Sequence, residues 1–209
     1  MIRSHIIGLF FIASVSLYHS NGAIADNYNE NVDLNFNEAI AAIHTKDFRK
    51  ALRIFKVLAN EDVADAQFNL AVLIKAGMGQ PRNFSEAYFW AVLSSLGGEI
   101  RSKPLVDELK ELLPPEEVDL NHSRILTRLA TQLSSGEQSA IVKFARIQSD
   151  FLTNPDYETA YVWYSIAQAL GIEGGYSGSK ESASHLDAVD LVNAQKKSNE
   201  VFEGSAFFE

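Results

Sequence analysis

The sixteen residues "NFSEAYFWAVLSSLGG" (83–98) recur at 156–171 as "DYETAYVWYSIAQALG", and this repetition decides the fold. At an offset of 73 residues the copies share an Asn or Asp, an aromatic residue, an Ala, a Tyr, a Trp and a closing Gly. A shorter copy begins at Asp47-Phe48, so the aromatic position falls at 48, 84 and 157. A fixed period in the thirties, built from paired helices, is the signature of a solenoid.

Apolar residues recur with helical spacing through nearly the whole chain, which predicts an all-α fold of about nine helices. The predicted helices cover residues 34–44, 47–60, 63–77, 84–97, 102–112, 115–134, 137–152, 156–170 and 180–203. Gly77, Gly79 and Pro81 form a stop signal, because they cannot continue a helix. Pro115 predicts a helix start, because the first helical residue needs no backbone donor.

The first 25 residues have the order of features found in a secretory signal peptide. Arg3 supplies the positive charge, residues 6–17 an apolar core, and Ala23-Ile24-Ala25 the small residues of a cleavage site. We therefore expect export to a bacterial periplasm and removal of residues 1–25. Behind a loose leader at 26–33, a first helical unit is predicted at 34–135, a second, degenerate unit at 136–204, and a tail at 205–209.

Charge and cysteine content exclude several classes of partner and site. The chain has 18 Lys and Arg against 27 Asp and Glu, a net charge of −9, which argues against nucleic acid and anionic membrane surfaces. It has no cysteine, which excludes disulfides, thiolate zinc sites and a cysteine nucleophile. An exported chain without disulfides fits a periplasm, and no later segment is long enough to insert into a membrane.

The repeat resembles the Sel1-like branch of the tetratricopeptide superfamily. The residues that carry the resemblance are Ala66, Leu70-Ala71, Ala76-Gly77-x-Gly79, Asn83-Phe84, Ala87 and Trp90, followed by the stretch "LKELLPPEEVDLNHSRIL" at 109–126. The second copy departs from the pattern, because "FLTNP" at 151–155 replaces the G-x-G turn. The resemblance implies a right-handed α-solenoid that makes protein contacts as an adaptor, often in the bacterial envelope. Some periplasmic relatives restrain membrane sensor kinases or modulate polysaccharide production.

Motifs for catalysis or metal binding are incomplete. The stretch "GIEGGYSGSK" (171–180) lacks the glycine and hydroxyl positions of a P-loop, so we interpret it as a flexible connector. Within it, Ser177 to Lys180 spells S-x-x-K, but the companion motifs of penicillin-recognising enzymes are missing. His44, His122 and His185 lack helical zinc spacing and are predicted to be surface or capping residues. We predict no enzyme activity, no cofactor and no metal.

Residues that recur at the same position of the repeat are predicted to form the contacts between stacked helices, which places Trp90 and Trp163 in the core. Residues that differ between copies are candidates for binding a protein partner: Phe68, Val72 and Lys75 on the helix at 63–77, and Val142 and Arg146 on its counterpart. For Phe68, packing against the helix at 47–60 is the alternative. Charge reversal at Lys75 or Arg146 is expected to weaken partner capture and to leave stability unchanged.

These observations predict a periplasmic Sel1-like adaptor that binds a protein partner of unknown identity, with no small-molecule substrate evident. The alternative is a small cell-envelope enzyme or a carbohydrate-binding accessory protein.

Overall fold

The computed structural model describes residues 31–205, which contain helices and connecting turns but no β-strand. The all-α prediction is therefore confirmed for these residues. The predicted signal peptide (1–25), leader residues 26–30 and tail residues 206–209 lie outside the described part. Residues 31–33, predicted as loose leader, belong to the first helix.

Ten α-helices and one π-helix follow one another along the described chain. Helix α1 covers residues 31–44. The remaining helices are α2 (Phe48–Asn60), α3 (Ala64–Ala76), α4 (Phe84–Leu96), α5 (Ser102–Glu111), α6 (Pro115–Ser134), α7 (Ser139–Arg146), the π-helix (Ile147–Phe151), α8 (Tyr157–Ala169), α9 (Gly175–Ala183) and α10 (Ala188–Glu203). The predicted helix at 180–203 is thus two helices, and the helix at 137–152 changes to π geometry before it ends.

The Asn or Asp that opens each copy of the repeat is a helix cap. Asp47, Asn83 and Asp156 each accept a hydrogen bond from the backbone N–H three residues later, at 3.1, 2.9 and 2.9 Å. An N-cap oxygen satisfies one of the backbone donors that a helix start leaves unpaired, and losing it costs about 1 kcal/mol. The repeated polar residue is therefore explained by local structure.

The glycines between α3 and α4 explain the G-x-G turn. Gly77 ends α3 with a left-handed φ of 74°, which favours glycine. Gly79 also has a positive φ, and a Cβ there would lie 2.6 Å from the carbonyl oxygen of Phe48 at the start of α2. The turn therefore requires glycine at residue 77 for its left-handed backbone and at residue 79 also for its close approach to α2.

The predicted flexible connector at 171–180 is wrong for its second half, because α9 begins at Gly175. A Cβ on Gly175 would lie 2.4 Å from the backbone nitrogen of Gln168, and one on Gly178 would lie 2.3 Å from the ring of Tyr164. These glycines let α9 pack directly on α8. Glycine content alone indicates flexibility, but here it serves close helix packing.

Helices two apart in the sequence run in the same direction. In α3 and α5, Asp65 pairs with Arg101 and Lys75 with Glu108, so the order of contacts is preserved. Helices α4 and α6 follow the same rule, from the Ser85 and Asn121 contact at one end to the Trp90 and Arg128 contact at the other. The helices thus pack as neighbouring pairs whose equivalent members stack side by side.

The main hydrophobic core runs through both predicted units, from Ala39 in α1 to Ala194 in α10. Val118, Ile125 and Leu129 of α6 are buried in it, so this helix joins the first unit to the second. Within residues 31–205, no helix combines the length and the apolarity needed to cross a bilayer.

Candidate binding surface

The predicted binding residues of α3 lie beside α5. The guanidinium of Arg101 stacks over the ring of half-buried Phe68 at 4.6 Å, and Lys75 forms an ion pair with Glu108. Val72 lies between these contacts on α3 and is 38% exposed. Of the three residues, Val72 offers the most accessible apolar side chain, and charged groups flank it on both sides.

The predicted residues on α7 have structural contacts. Val142 is half-buried and packs on the core. The Nη1 of Arg146 donates to the carbonyl oxygens of Ser95 and Leu96, at 3.1 and 3.2 Å. Arg146 therefore stabilises the carboxyl end of α4, where the helix dipole places partial negative charge on the carbonyls. The expectation that charge reversal at Arg146 leaves stability unchanged is thus corrected, because a carboxylate there would face these carbonyls.

A pocket of about 250 Å³ lies between α5 and α7, and we name it the α5–α7 pocket. Arg146 lines it, so one residue of the predicted surface reaches this site, whereas Lys75 pairs elsewhere on α5. The pocket carries three basic and two acidic side chains. Its lining residues are Tyr88, Ser95, Lys103, Val106, Asp107, Lys110, Arg146, Asp150 and Phe151.

A buried tyrosine–histidine pair lies beside the α5–α7 pocket. The hydroxyl oxygen of Tyr88 is 2.9 Å from Nε2 of His122, and both residues are at least 98% buried. His122 is therefore not a surface or capping residue as predicted. Burial, with the neighbouring charge of Lys110, lowers the pKa of His122 below its usual 6.5, although Asp119 opposes the shift. Burial also raises the pKa of Tyr88, so this hydroxyl stays protonated.

The stability of the protein should fall on mild acidification because of His122. Its folded-state pKa lies below the unfolded value, so the unfolded chain binds the proton more readily. The stabilisation is complete above about pH 6.5. This stabilisation is lost as the pH falls toward the pKa of His122 in the folded protein, by up to about 1.4 kcal/mol per pH unit. Urea unfolding between pH 7.5 and 5 measures this.

The variant that tests this pH dependence is His122→Gln. It should flatten the profile of unfolding free energy between pH 6.5 and 5. Equal slopes in wild type and His122→Gln would show that other groups control the acid response.

The two repeated tryptophans have different environments. Trp90 is 4% exposed, and its Nε1 donates to Oε1 of Glu86 at 2.9 Å. Trp163 is half-buried and lines an open groove of about 560 Å³, which we name the Trp163 groove. The groove is lined by Ala130, Leu133 and Ser134 of α6, Phe144 of α7, Trp163 of α8, Glu200 and Val201 of α10, and Gly204 and Ser205. The predicted core position is therefore correct for Trp90 and only partly so for Trp163.

The sequence predictions included neither the α5 residues that line the α5–α7 pocket nor the Trp163 groove. Lys103, Asp107 and Lys110 share one helix face at spacings of four and three, and this charged stripe was visible in the sequence. The groove also has a sequence signal, because Arg128 of the first unit becomes Val201 at the repeat offset of 73.

Comparison with known proteins found no matching family model and no matching curated protein. The Sel1-like resemblance stays a prediction that rests on the residues quoted for it.

Proposed function

We propose that the chain is an exported Sel1-like adaptor, a right-handed α-solenoid that binds a protein partner without catalysis. The partner contacts the exposed side of α3 and the neighbouring side of α5. Export is part of the proposal because residues 1–25 have the composition of a signal peptide.

The observation that carries this proposal is the one-repeat register between helices. Side chains that join equivalent helices are separated by 36 residues for Asp65 and Arg101, 33 for Lys75 and Glu108, 36 for Ser85 and Asn121, and 34 for Tyr161 and Gln195. Each separation is close to the 36 residues between Phe48 and Phe84, the period of the sequence repeat. Stacking of successive helix pairs at such a register is the packing rule of repeat proteins, whose extended surfaces bind other proteins.

The α3 side is favoured as the contact surface by its mixture of apolar and charged groups. Val72 supplies exposed apolar area, and the ion pairs of Arg101 and Lys75 lie on either side of it. A polar rim around an apolar centre is the usual anatomy of a protein interface. Charges at the rim speed the encounter of the partners and make it sensitive to salt.

Site-specific photocrosslinking in the native host tests the proposal. A photoreactive residue at Val72 should give a discrete protein adduct in the exported fraction. The same residue at Val57, which is 56% exposed on α2, should give none. Adding Lys75→Glu should reduce the Val72 adduct several-fold, because it places like charges together at the contact surface.

The control substitution is Lys50→Glu, which removes an ion pair with Glu38 on the α1–α2 side. It should leave the adduct unchanged, and both substitutions should leave the melting temperature nearly unmoved, since exposed ion pairs contribute little. The adaptor proposal fails if the Val72 and Val57 positions give the same adducts, or if Lys50→Glu reduces the yield as much as Lys75→Glu does.

A further inference from the structure

The wall of the α5–α7 pocket holds donors that have no acceptor within the described chain. Arg146 uses its Nη1 for the carbonyl oxygens of Ser95 and Leu96, but its Nη2 has no hydrogen-bond acceptor within residues 31–205. The hydroxyl of Ser95 also has no hydrogen-bond partner in this part of the chain, although Ser95 is only 9% exposed. A few polar groups that converge on a pocket are what fixes a small ligand in place.

Two lysines of α5 add positive charge to the same pocket. Lys103 and Lys110 line it, and neither forms an ion pair with any residue of the described part. Asp107 lies between them on the same helix face, and Oδ2 of Asp150 lies 3.7 Å from Nε of Arg146. Three positive and two negative side chains leave the wall with one net positive charge, in a chain whose overall charge is −9.

The size of the pocket and its apolar surface limit the ligand. The volume is about 250 Å³. A water molecule takes about 30 Å³ of the liquid, so the pocket holds about eight groups of that size. Val106 and the ring of Tyr88 are buried, Phe151 is half-buried, and all three supply apolar surface to the wall. The pocket therefore fits a small molecule with a short apolar part.

The π-helix forms one side of the pocket. Asp150 and Phe151 both belong to this segment, which continues α7. It is the one π-helix between residues 31 and 205. π geometry is rare in proteins and occurs frequently at functional sites. Its position at this pocket is a second observation that favours a ligand site.

We propose that the α5–α7 pocket binds a small, free monocarboxylate with a short apolar chain. Its carboxylate accepts hydrogen bonds from Nη2 of Arg146 and from the hydroxyl of Ser95, and it pairs with the two lysines of α5. One negative charge matches the net charge of the wall, whereas a dianion is disfavoured by the two aspartates. The inference goes beyond the adaptor function, because the pocket lies between α5 and α7 and the proposed partner surface lies between α3 and α5.

An NMR titration of the isotope-labelled full chain at constant ionic strength tests the proposal. The probes are butyrate, its neutral isostere butyramide, and inorganic phosphate. The backbone N–H signals of Ser95 and Asp150 should shift with butyrate. The affinity for butyrate should exceed that for butyramide by about tenfold, because hydrogen bonds to a charged acceptor are stronger. Equal affinity for butyrate and butyramide, or tighter binding of phosphate, overturns the proposal.

The decisive variant combines Lys103→Gln with Lys110→Gln. Both lysines are exposed, so folding should be preserved, and butyrate should bind about threefold more weakly for each lysine removed. The matched control combines Lys56→Gln with Lys197→Gln, which removes the same charge at exposed positions outside the pocket. The control should bind butyrate as wild type does. Undiminished binding in the α5 variant, or equal weakening in the control, overturns the proposal.

The carboxylate of a glutamate side chain on a protein partner is the competing ligand. Its probe is Nα-acetyl-glutamate amide, which should bind more weakly than butyrate because its backbone groups exceed the volume of the pocket. Tighter binding of this probe would assign the pocket to the partner and overturn the free-ligand proposal. The adaptor function is tested separately, because the Val72 adduct reports on α3 and not on this pocket.

Discussion

Trp90→Ala should lower the free energy of unfolding by about 3–5 kcal/mol, whereas Trp163→Ala should lower it by about 1–2 kcal/mol. Trp90 is 4% exposed and donates a hydrogen bond to Glu86, so its truncation leaves a cavity and an unpaired partner. Trp163 is half-buried beside an open groove, so less apolar surface returns to water when it is removed. Urea unfolding of both variants measures the difference.

The comparison has an internal control, because both tryptophans occupy the same position of the repeat. Trp90→Phe should lose about 1 kcal/mol or more, since the hydrogen bond to Glu86 disappears while most of the apolar area is kept. Equal losses for Trp90→Ala and Trp163→Ala would mean that the Trp163 groove is closed in solution.

Local features of the fold were predictable because they depend on neighbours in the sequence. The caps at Asn83 and Asp156 and the stop at Gly77 follow from hydrogen-bonding rules within four residues. Gly175 and Gly178 were misinterpreted because their reason lies in α8, where the backbone of Gln168 and the ring of Tyr164 leave no room for a Cβ. Sequence periodicity does not report such close approach.

The surroundings of the candidate binding residues were less predictable, because they depend on which helix covers which side chain. Arg146 has the spacing of an outward-facing residue, yet its partners are carbonyls about 50 residues earlier in α4. Trp163 matches Trp90 in the repeat, but its burial depends on α10, where Val201 replaces Arg128. The period predicted that both tryptophans pack between helices, but it did not predict that Trp90 is buried and Trp163 half-buried.

Asp62 joins three parts of the structure through one carboxylate. Its Oδ1 accepts from Gln67 of α3 at 3.3 Å and from Arg128 of α6 at 3.0 Å. Its Oδ2 accepts from Gln132 of α6 at 2.7 Å and from Lys143 of α7 at 3.3 Å. Burial alone would raise the pKa of Asp62, but these hydrogen bonds and positive charges hold it below 3.8. The carboxylate therefore stays ionised and links the first helix pairs to the second unit.

Asp62→Gly should lower the free energy of unfolding by about 2–3 kcal/mol, because it leaves the half-buried Arg128 and Lys143 without their carboxylate partner. The glycine variant measures the loss of the side chain without added backbone strain, because Asp62 has a left-handed φ of 61° that glycine adopts without strain. Asp62→Ala should lower the free energy of unfolding by about 1 kcal/mol more than Asp62→Gly does, since alanine is strained in that conformation.

Lys46→Gly is the matched control for the Asp62 prediction. Lys46 has the same backbone geometry, with a φ of 62°, and its side chain is exposed. Its replacement should change stability by less than about 1 kcal/mol, in the stabilising direction if relief of strain dominates. Denaturant unfolding of the three variants measures these differences in the free energy of unfolding. If Asp62→Gly is as stable as Lys46→Gly, the carboxylate does not hold the two units together, and the packing of α6 against α7 must do so alone.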